Sequence, residues 1–358
     1  MRVGIVNDLA VACEALRRVV ASDPALVVAW IARDGIEAIE RAARDRPDVI
    51  LMDLIMPRLN GVEATRQIMR ATPCPILVVT ATVSGNASLV YEALGAGALD
   101  AVNTPTLGSG GAVTGGADLV RRLHLVARST AARSSPRLNA PPIPASQPNA
   151  LQARAPVPAM VAPSETARSG PIIVAIGAST GGPRAVASVL SALPRDLPAV
   201  ILVVQHVSVD FVAGYVEWLS AETGRNLTIA RHGALLREGD TLVAGEDLHL
   251  RCTRAGTIEY RAEPVDHVHR PAVDELFSSL TTFPRPGIAV LLTGMGRDGA
   301  EGMLKLRDAG WHTIAQDEST SVVWGMPGVA HKLGAATATL PIDEIGPAIA
   351  ARVRQLAR

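Results

Sequence analysis

Twice along this chain, short apolar runs ending on a polar residue or glycine alternate with stretches whose apolar residues fall at helical spacing. That alternation limits the fold more than any other feature. In the first 125 residues the runs VGIV, LVVAWI, DVILMD, ILVVT and LDAVN are separated by CEALRRVVA, GIEAIERAAR, GVEATRQIMR and NASLVYEALGAGA. Short continuous apolar runs suit strands buried on both faces, and a helix between each pair forces parallel crossovers. Five such units predict a doubly wound α/β domain, a five-stranded parallel sheet with its ligand site at the carboxyl ends of the strands. The alternation resumes at PIIVAIG, PAVILVVQH and GIAVLLTG, with helices expected to begin near Pro183, Asp210 and Gly299. Between Leu227 and Tyr260, short alternating runs with glycine turns predict an antiparallel hairpin inserted in this second, mostly parallel α/β domain.

Between the two halves, Ser129 to Gly170 is dominated by Ala, Pro and Ser, with no aromatic residue and no apolar period. Proline at that density blocks helices and central strands, so a mildly basic, extended linker is expected. The domains are accordingly placed at 1–125 and 169–358, with 126–168 between them. Aromatics make up only 3% of the chain, which favours helix-rich α/β packing over a β-sandwich. The net charge of zero leaves no electrostatic footprint for nucleic acid. No apolar run approaches the roughly 18–20 residues that span a bilayer, so a cytoplasmic protein without membrane insertion is expected. Cys13, Cys74 and Cys252 are far apart and odd in number, the pattern of reduced, buried thiols.

Asp8 follows the first expected strand, Asp53 ends the third and Thr80 ends the fourth, which puts all three in one crevice. Two clustered carboxylates repel unless a divalent cation joins them, and Mg²⁺ suits an all-oxygen site. With the cation, one carboxylate could accept a phosphoryl group; equally, strand-end aspartates can simply cap the next helix. Spacing alone leaves both open. The stretch LMDLIMPRLNGVEATRQI resembles the phosphorylation segment of response-regulator receiver domains. The resemblance implies phosphorylation of Asp53 by a CheA-type histidine kinase, with Mg²⁺ held by Asp8 and Asp53. Two positions depart from the pattern. Asn7 stands where receivers usually carry a second acid, and Thr104 stands where they carry a lysine that pairs with the phosphorylated aspartate.

GASTGG (residues 177–182) sits between an expected strand and an expected helix. A phosphate loop would need a lysine after Gly182, and a dinucleotide fingerprint would need glycine at Ser179 and an acid ending the next strand. That strand ends in Gln205-His206 instead. As GxSxG, the same turn holds a serine oxygen exposed. His206 and Asp298 lie at neighbouring strand ends and supply a base and an orienting anion, with Asp274 and Asp317 as rival anions. Backbone N–H groups of the glycine turn and near Met295 could hold an oxyanion. The other histidines, His232, His249, His312 and His331, are expected in loops or exposed strand positions, and DHVH (266–269) is not expected to bind metal.

GASTGGPRA, VVQH, RPAVDELF, LLTGMGRDG and QDESTSVVWGMPG together resemble the catalytic domain of CheB-type protein-glutamate methylesterases. The resemblance implies Ser179 as nucleophile, His206 as general base and acid, and Asp298 as orienting carboxylate. It places Thr180 and Met295 in the oxyanion and substrate pocket, and it needs no cofactor for the esterase. Val207-Ser208 replace the usual Met-Pro after the histidine. The implied substrate is a glutamate methyl ester, or a glutamine, on the cytoplasmic domain of a methyl-accepting chemoreceptor. VNDLAVACEALRRVV, MDLIMP and VNTPTLG look most like the WspF-type branch, which serves surface attachment. Two rivals stand beside this: a non-catalytic receptor-binding adaptor, and a DNA-binding response regulator. The second would need a basic recognition helix, yet Arg and Lys are dispersed in the second half.

Overall fold

The computed structural model describes residues 1–80, 87–108, 113–117, 119–124, 126, 170–207, 209–265, 267 and 269–358. The expected linker at 126–168 falls, save Val126, outside the described residues.

The first apolar runs form β1 (Arg2–Val6), β2 (Val27–Ala32), β3 (Val49–Met52), β4 (Ile76–Thr80) and β5 (Asp100–Asn103). They pair in the all-parallel order β2-β1-β3-β4-β5. Helices α1 (Ala10–Ala21), α2 (Gly35–Arg44), α3 (Gly61–Ala71) and α4 (Ala87–Ala96) make the crossovers. Polar side chains start two of them. Asp34 accepts from the N–H groups of Ile36 and Glu37, and Asn60 accepts from that of Glu63. Strand order reverses between β1 and β3, so the residues after those strands face one crevice. A short hairpin, β6 (Thr106–Leu107) with β7 (Val113–Thr114), follows β5.

In the second domain β8 (Ile173–Ala178) is the first strand and becomes a central one. With β9 (Val200–Gln205), β10 (Leu227–Ile229), β11 (Thr241–Val243), β14 (Ile288–Leu291), β15 (His312–Gln316) and β16 (Ala338–Leu340) it builds a seven-stranded sheet. Its order is β10-β11-β9-β8-β14-β15-β16, all parallel. The segment expected as one antiparallel hairpin divides. β10 and β11 extend the parallel sheet beyond β9, and only β12 (His249–Cys252) with β13 (Ile258–Arg261) is antiparallel. The alternation of three- and four-residue runs is the same in both cases, and their pairing partners decide. Leu242 and Val243 lie beside Leu202 and Val203 of β9 and are buried there.

The helices α5 (Gly182–Ser191), α6 (Val209–Thr223), α7 (Val273–Leu280), α8 (Ala300–Asp308), α9 (Met326–Lys332) and α10 (Ile342–Leu356) cover the sheet. One core cluster runs through both domains, because α4 packs on α6. Tyr91 of α4 lies 5.1 Å from Tyr215 and 5.8 Å from Trp218, ring centre to ring centre. Each such pair adds about 0.5–1.5 kcal/mol beyond area burial. Cys13, Cys74 and Cys252 are free and buried, and burial pushes the Cys74 and Cys252 thiols up to about 12. Among the described residues no helix is long and apolar enough to cross a membrane.

Candidate active site

Ser179 follows β8, His206 follows β9 and Asp298 lies in the loop after β14. These are the centre of the second sheet, where strand order reverses between β8 and β14. The turn Ser179-Thr180-Gly181 leads into α5. Gly181 has φ 76°, the left-handed region, and a side chain there would meet Val322. Across the crevice, a Cβ on Gly294 would meet the Met326 sulfur and Ser179, so only glycine lets the β14 loop close on the turn. Main-chain bonds fasten this approach: Ser179 N–H donates to Thr293 O at 3.1 Å, and Gly182 N–H donates to Ser179 O at 2.7 Å.

His206 Nε2 meets Asp298 Oδ2 at 2.7 Å. Asp298 is further held by the Val273 N–H on Oδ2 at 2.7 Å and the Asp274 N–H on Oδ1 at 2.9 Å, both from the first turn of α7. Burial alone would raise the Asp298 carboxyl, but His206 and the two N–H donors outweigh it and hold the group down at about 2. The ion is therefore kept in a site that is only 12% exposed. Asp298 holds the acceptor role through Oδ2, so His206 Nε2 carries the proton. Nδ1 is left buried with no hydrogen-bond partner among the described residues. That is the atom free to take a proton from a hydroxyl.

Ser179, Thr180, His206, Met295 and Gly296 line one cavity of about 690 Å³. The first domain closes its other side with Asp100, Arg121 and Arg122, and Arg122 is ion-paired with Asp100. The two rival anions have other partners. Asp317 accepts from Ser319 and Thr320 in its own turn. Asp274 accepts from the Gly302 N–H, and burial, with the charge of Asp298 adding, pushes it up to about 6. His249 is not exposed, as its place in an alternating strand had suggested, but fully buried. Its Nε2 donates to Pro264 O and its Nδ1 accepts from the Ala272 N–H.

Two supporting side chains had no signal of their own in the sequence. Gln205 Nε2 donates to Ser179 O at 2.9 Å and to His206 O at 3.2 Å, which ties the serine turn to the histidine strand end. Thr293 Oγ1 donates to Thr180 O at 3.0 Å, and Gln316 Oε1 accepts from the Thr293 N–H. The VVQH run had pointed to Gln205 only as a residue unable to bind a ribose. Its burial at a strand's last position was the available clue, since a buried amide needs partners.

In the first domain, Asp53 and Asp8 share the crevice at the strand-order reversal. Asn7 Nδ2 donates to Asp53 Oδ2 at 2.8 Å and the Leu54 N–H donates to Oδ1 at 2.7 Å. Burial pushes the Asp53 carboxyl up to about 6; the Leu54 and Ile55 N–H groups oppose this and the charge of Asp8 adds to it. Thr80 is buried at the end of β4, and its carbonyl accepts from the Thr104 N–H. Thr104 Oγ1 is buried without a hydrogen-bond partner among the described residues.

Known proteins match both halves. The CheB methylesterase family model covers residues 174–349, and the response regulator receiver domain model covers residues 3–106. A protein-glutamate methylesterase/protein-glutamine glutaminase of Burkholderia lata is 48% identical over 99% of this chain and 100% of its own length. This chain belongs to the CheB methylesterase family. A similarly named protein of Pseudomonas fluorescens is 44% identical over 97% of this chain and 98% of its own. The crystal structure of the Thermotoga maritima CheB methylesterase catalytic domain is 33% identical, with a TM-score of 0.49 over 51% of this chain and 99% of that one. The second domain of this CheB-family chain is thus a methylesterase domain, not a DNA-binding effector.

Proposed function

We propose that this chain, with its receiver at 1–125 and its catalytic domain at 169–358, is a protein-glutamate methylesterase and protein-glutamine glutaminase. Its proposed substrates are methylated glutamates on the cytoplasmic domain of a chemoreceptor. The observation that carries the assignment is the His206–Asp298 pair at 2.7 Å on a cavity wall shared with Ser179. His206 Nδ1 takes the Ser179 proton as Oγ bonds to the ester carbonyl carbon. The negative charge that develops on the carbonyl oxygen is met by main-chain N–H groups at Thr180 and Met295. His206 then gives its proton to the departing methoxide, which leaves as methanol. Water attacks the acyl-enzyme by the same route, loses its proton to His206 and frees the glutamate carboxylate. A glutamine follows the same path with ammonia as the poorer leaving group. Methanol release from methylated receptor membranes is the test, and its absence from the wild type would favour a receptor-binding adaptor.

The receiver side of the cavity supports control by the first domain, with a CheA-type kinase as phosphodonor to Asp53. Arg121 and Arg122 line the same cavity as Ser179 while α4 is seated on α6. Gly95 lies on that seam, where a Cβ would lie 3.3 Å from Trp218 Nε1. Gly95→Leu strengthens the helix and wedges the seam. Overpacking costs about 1–3 kcal/mol, so basal methanol release is expected to rise about tenfold without phosphodonor. A rate equal to wild type at matched concentration would count against receiver control through this seam.

Asp8 and Asp53 would suit a hard cation that keeps most of its water, because two carboxylates follow neighbouring strands at one crevice and Asp53, raised chiefly by burial, feels the charge of Asp8 as well. When bound, Mg²⁺ would neutralise the pocket and screen the incoming phosphoryl charge. Asp53 has its folded pKa above its ordinary value, so the folded chain holds the extra proton between roughly pH 4 and 6. This group therefore costs stability as pH rises through that window, and the cost persists at neutral pH. Mg²⁺ is expected to raise the melting temperature at pH 7. Its affinity should fall by up to about tenfold per pH unit below about pH 6, and the effect should vanish in Asp8→Asn. Thermal melts across pH with and without Mg²⁺ check it. The same Asn7 and Thr104 support a pathway of the WspF type.

A further inference from the structure

His269 stacks on the catalytic histidine. Its ring lies 4.1 Å from that of His206, with 20° between the planes, and its free edge is open to the 690 Å³ cavity. Nothing in the ester mechanism above uses it, and the sequence pointed to it only as half of an improbable metal pair. Among the described residues no group of three or more His, Cys, Asp or Glu could hold a metal ion.

The segment that carries His269 is fastened from inside. Buried His249 donates to Pro264 O at 3.0 Å and accepts from the Ala272 N–H at 3.1 Å, so one side chain pins both ends of residues 264–272. At the middle of the segment, His267 Nε2 lies 3.5 Å from Glu275 Oε1 of α7. The first turn of α7 is also what holds Asp298. The anion at the edge of the His206 ring and the aromatic ring on its plane are therefore both tied to the start of α7.

We propose that His269 is a positioning residue for His206: its neutral imidazole face fixes the plane of the base and stabilises the imidazolium formed in both half-reactions. This rests on the esterase assignment. A cation over an aromatic face is favoured, more so when desolvated. For that to work His269 must itself stay uncharged. Burial and the adjacent His206 both push it down, Asp298 opposes them, and Arg121 and Arg122 of the receiver add to the lowering. Asp247 and Arg270, 3.9 Å apart, line the same cavity.

The experiment measures methanol release from methylated receptor membranes as a function of pH, for wild type, His269→Ala, His269→Phe and Ser179→Ala. His269→Ala is expected to lower kcat about 3–30-fold with KM within about twofold, and to move the acid limb of kcat/KM to lower pH by about half a unit. His269→Phe keeps a flat ring and is expected to stay within about threefold of wild type, with the limb in place. A purely structural role would move KM and the melting temperature and leave the limb alone. An alanine variant with unchanged kcat and pH profile overturns the proposal, as does a phenylalanine variant as slow as the alanine one. A wild type no faster than Ser179→Ala overturns the esterase assignment itself, so the two failures are told apart.

Discussion

Ser179→Ala is expected to lower methanol release by about 10⁴–10⁶-fold while leaving the fold in place. Removing the nucleophile of a serine–histidine–carboxylate unit abolishes the covalent route, and what survives is binding and oxyanion stabilisation. The substitution should be structurally quiet because the turn is held by its main chain. The Ser179 N–H bonds Thr293 O, and Ser179 O accepts from Gly182 and Gln205. Alanine keeps all three bonds and adds nothing to a turn already shaped by Gly181. The matched measurements are methanol release and a thermal melt. A variant that keeps wild-type rate with an unchanged melt would remove Ser179 from the chemistry. A lost rate accompanied by a large drop in melting temperature would mean the turn, not the hydroxyl, had been damaged.

The second large effect is expected for Asp298→Asn, about 10³–10⁴-fold in kcat with little change in KM. Every bond that Asp298 makes here is one in which it accepts: two on Oδ2, from His206 Nε2 and Val273 N–H, and one on Oδ1 from Asp274 N–H. An asparagine must put an NH₂ at one of those positions. Facing Val273 and His206, it opposes the Val273 N–H and forces Nε2 to accept, so the proton moves to Nδ1, the atom that must be bare to take the serine proton. Facing Asp274 instead, it opposes the Asp274 N–H and leaves the His206 tautomer in place. Either way a buried donor loses its acceptor, which costs about 1–3 kcal/mol of stability. A lower melt is therefore expected in both orientations, and the large loss in kcat only where the tautomer changes. A near-wild-type kcat would show that His206 does not need an anion on Nε2.

Much of the fold was legible in the sequence. Runs such as DVILMD and IIVAIG, with helical spacing after each, allowed only parallel crossovers, and both parallel sheets are present in the structure. Because catalytic groups of α/β domains collect where strands end, the polar residues terminating those runs were the ones the sequence pointed to. Periodicity could not say which strand an isolated three-residue run would join, so LTI and TLV were given to a hairpin although they extend the parallel sheet beside β9. Nor could a histidine in an alternating strand declare its own burial. His249 needed Pro264 and Ala272, brought in from a separate segment, to make a buried imidazole tolerable.

Local chemistry is written locally. The glycine that turns the chain after β8, the serine held on that turn, and the apolar runs that must leave water are properties of neighbouring residues. The sequence by itself therefore determined the fold class and pointed to Ser179, His206 and Asp53 beside the strand ends, with Asp298, Asp274 and Asp317 as candidate anions. Choosing Asp298 over Asp274 and Asp317 was a matter of angles and distances between groups 92 residues apart. So was the assignment of His206 Nδ1 as the unpartnered nitrogen, the stacking of His269, and the closing of the cavity by arginines of the other domain. These depend on how whole elements settle against one another, and hydrogen bonds and ring contacts act only over the few ångströms that packing brings together. Only the tertiary structure decided them.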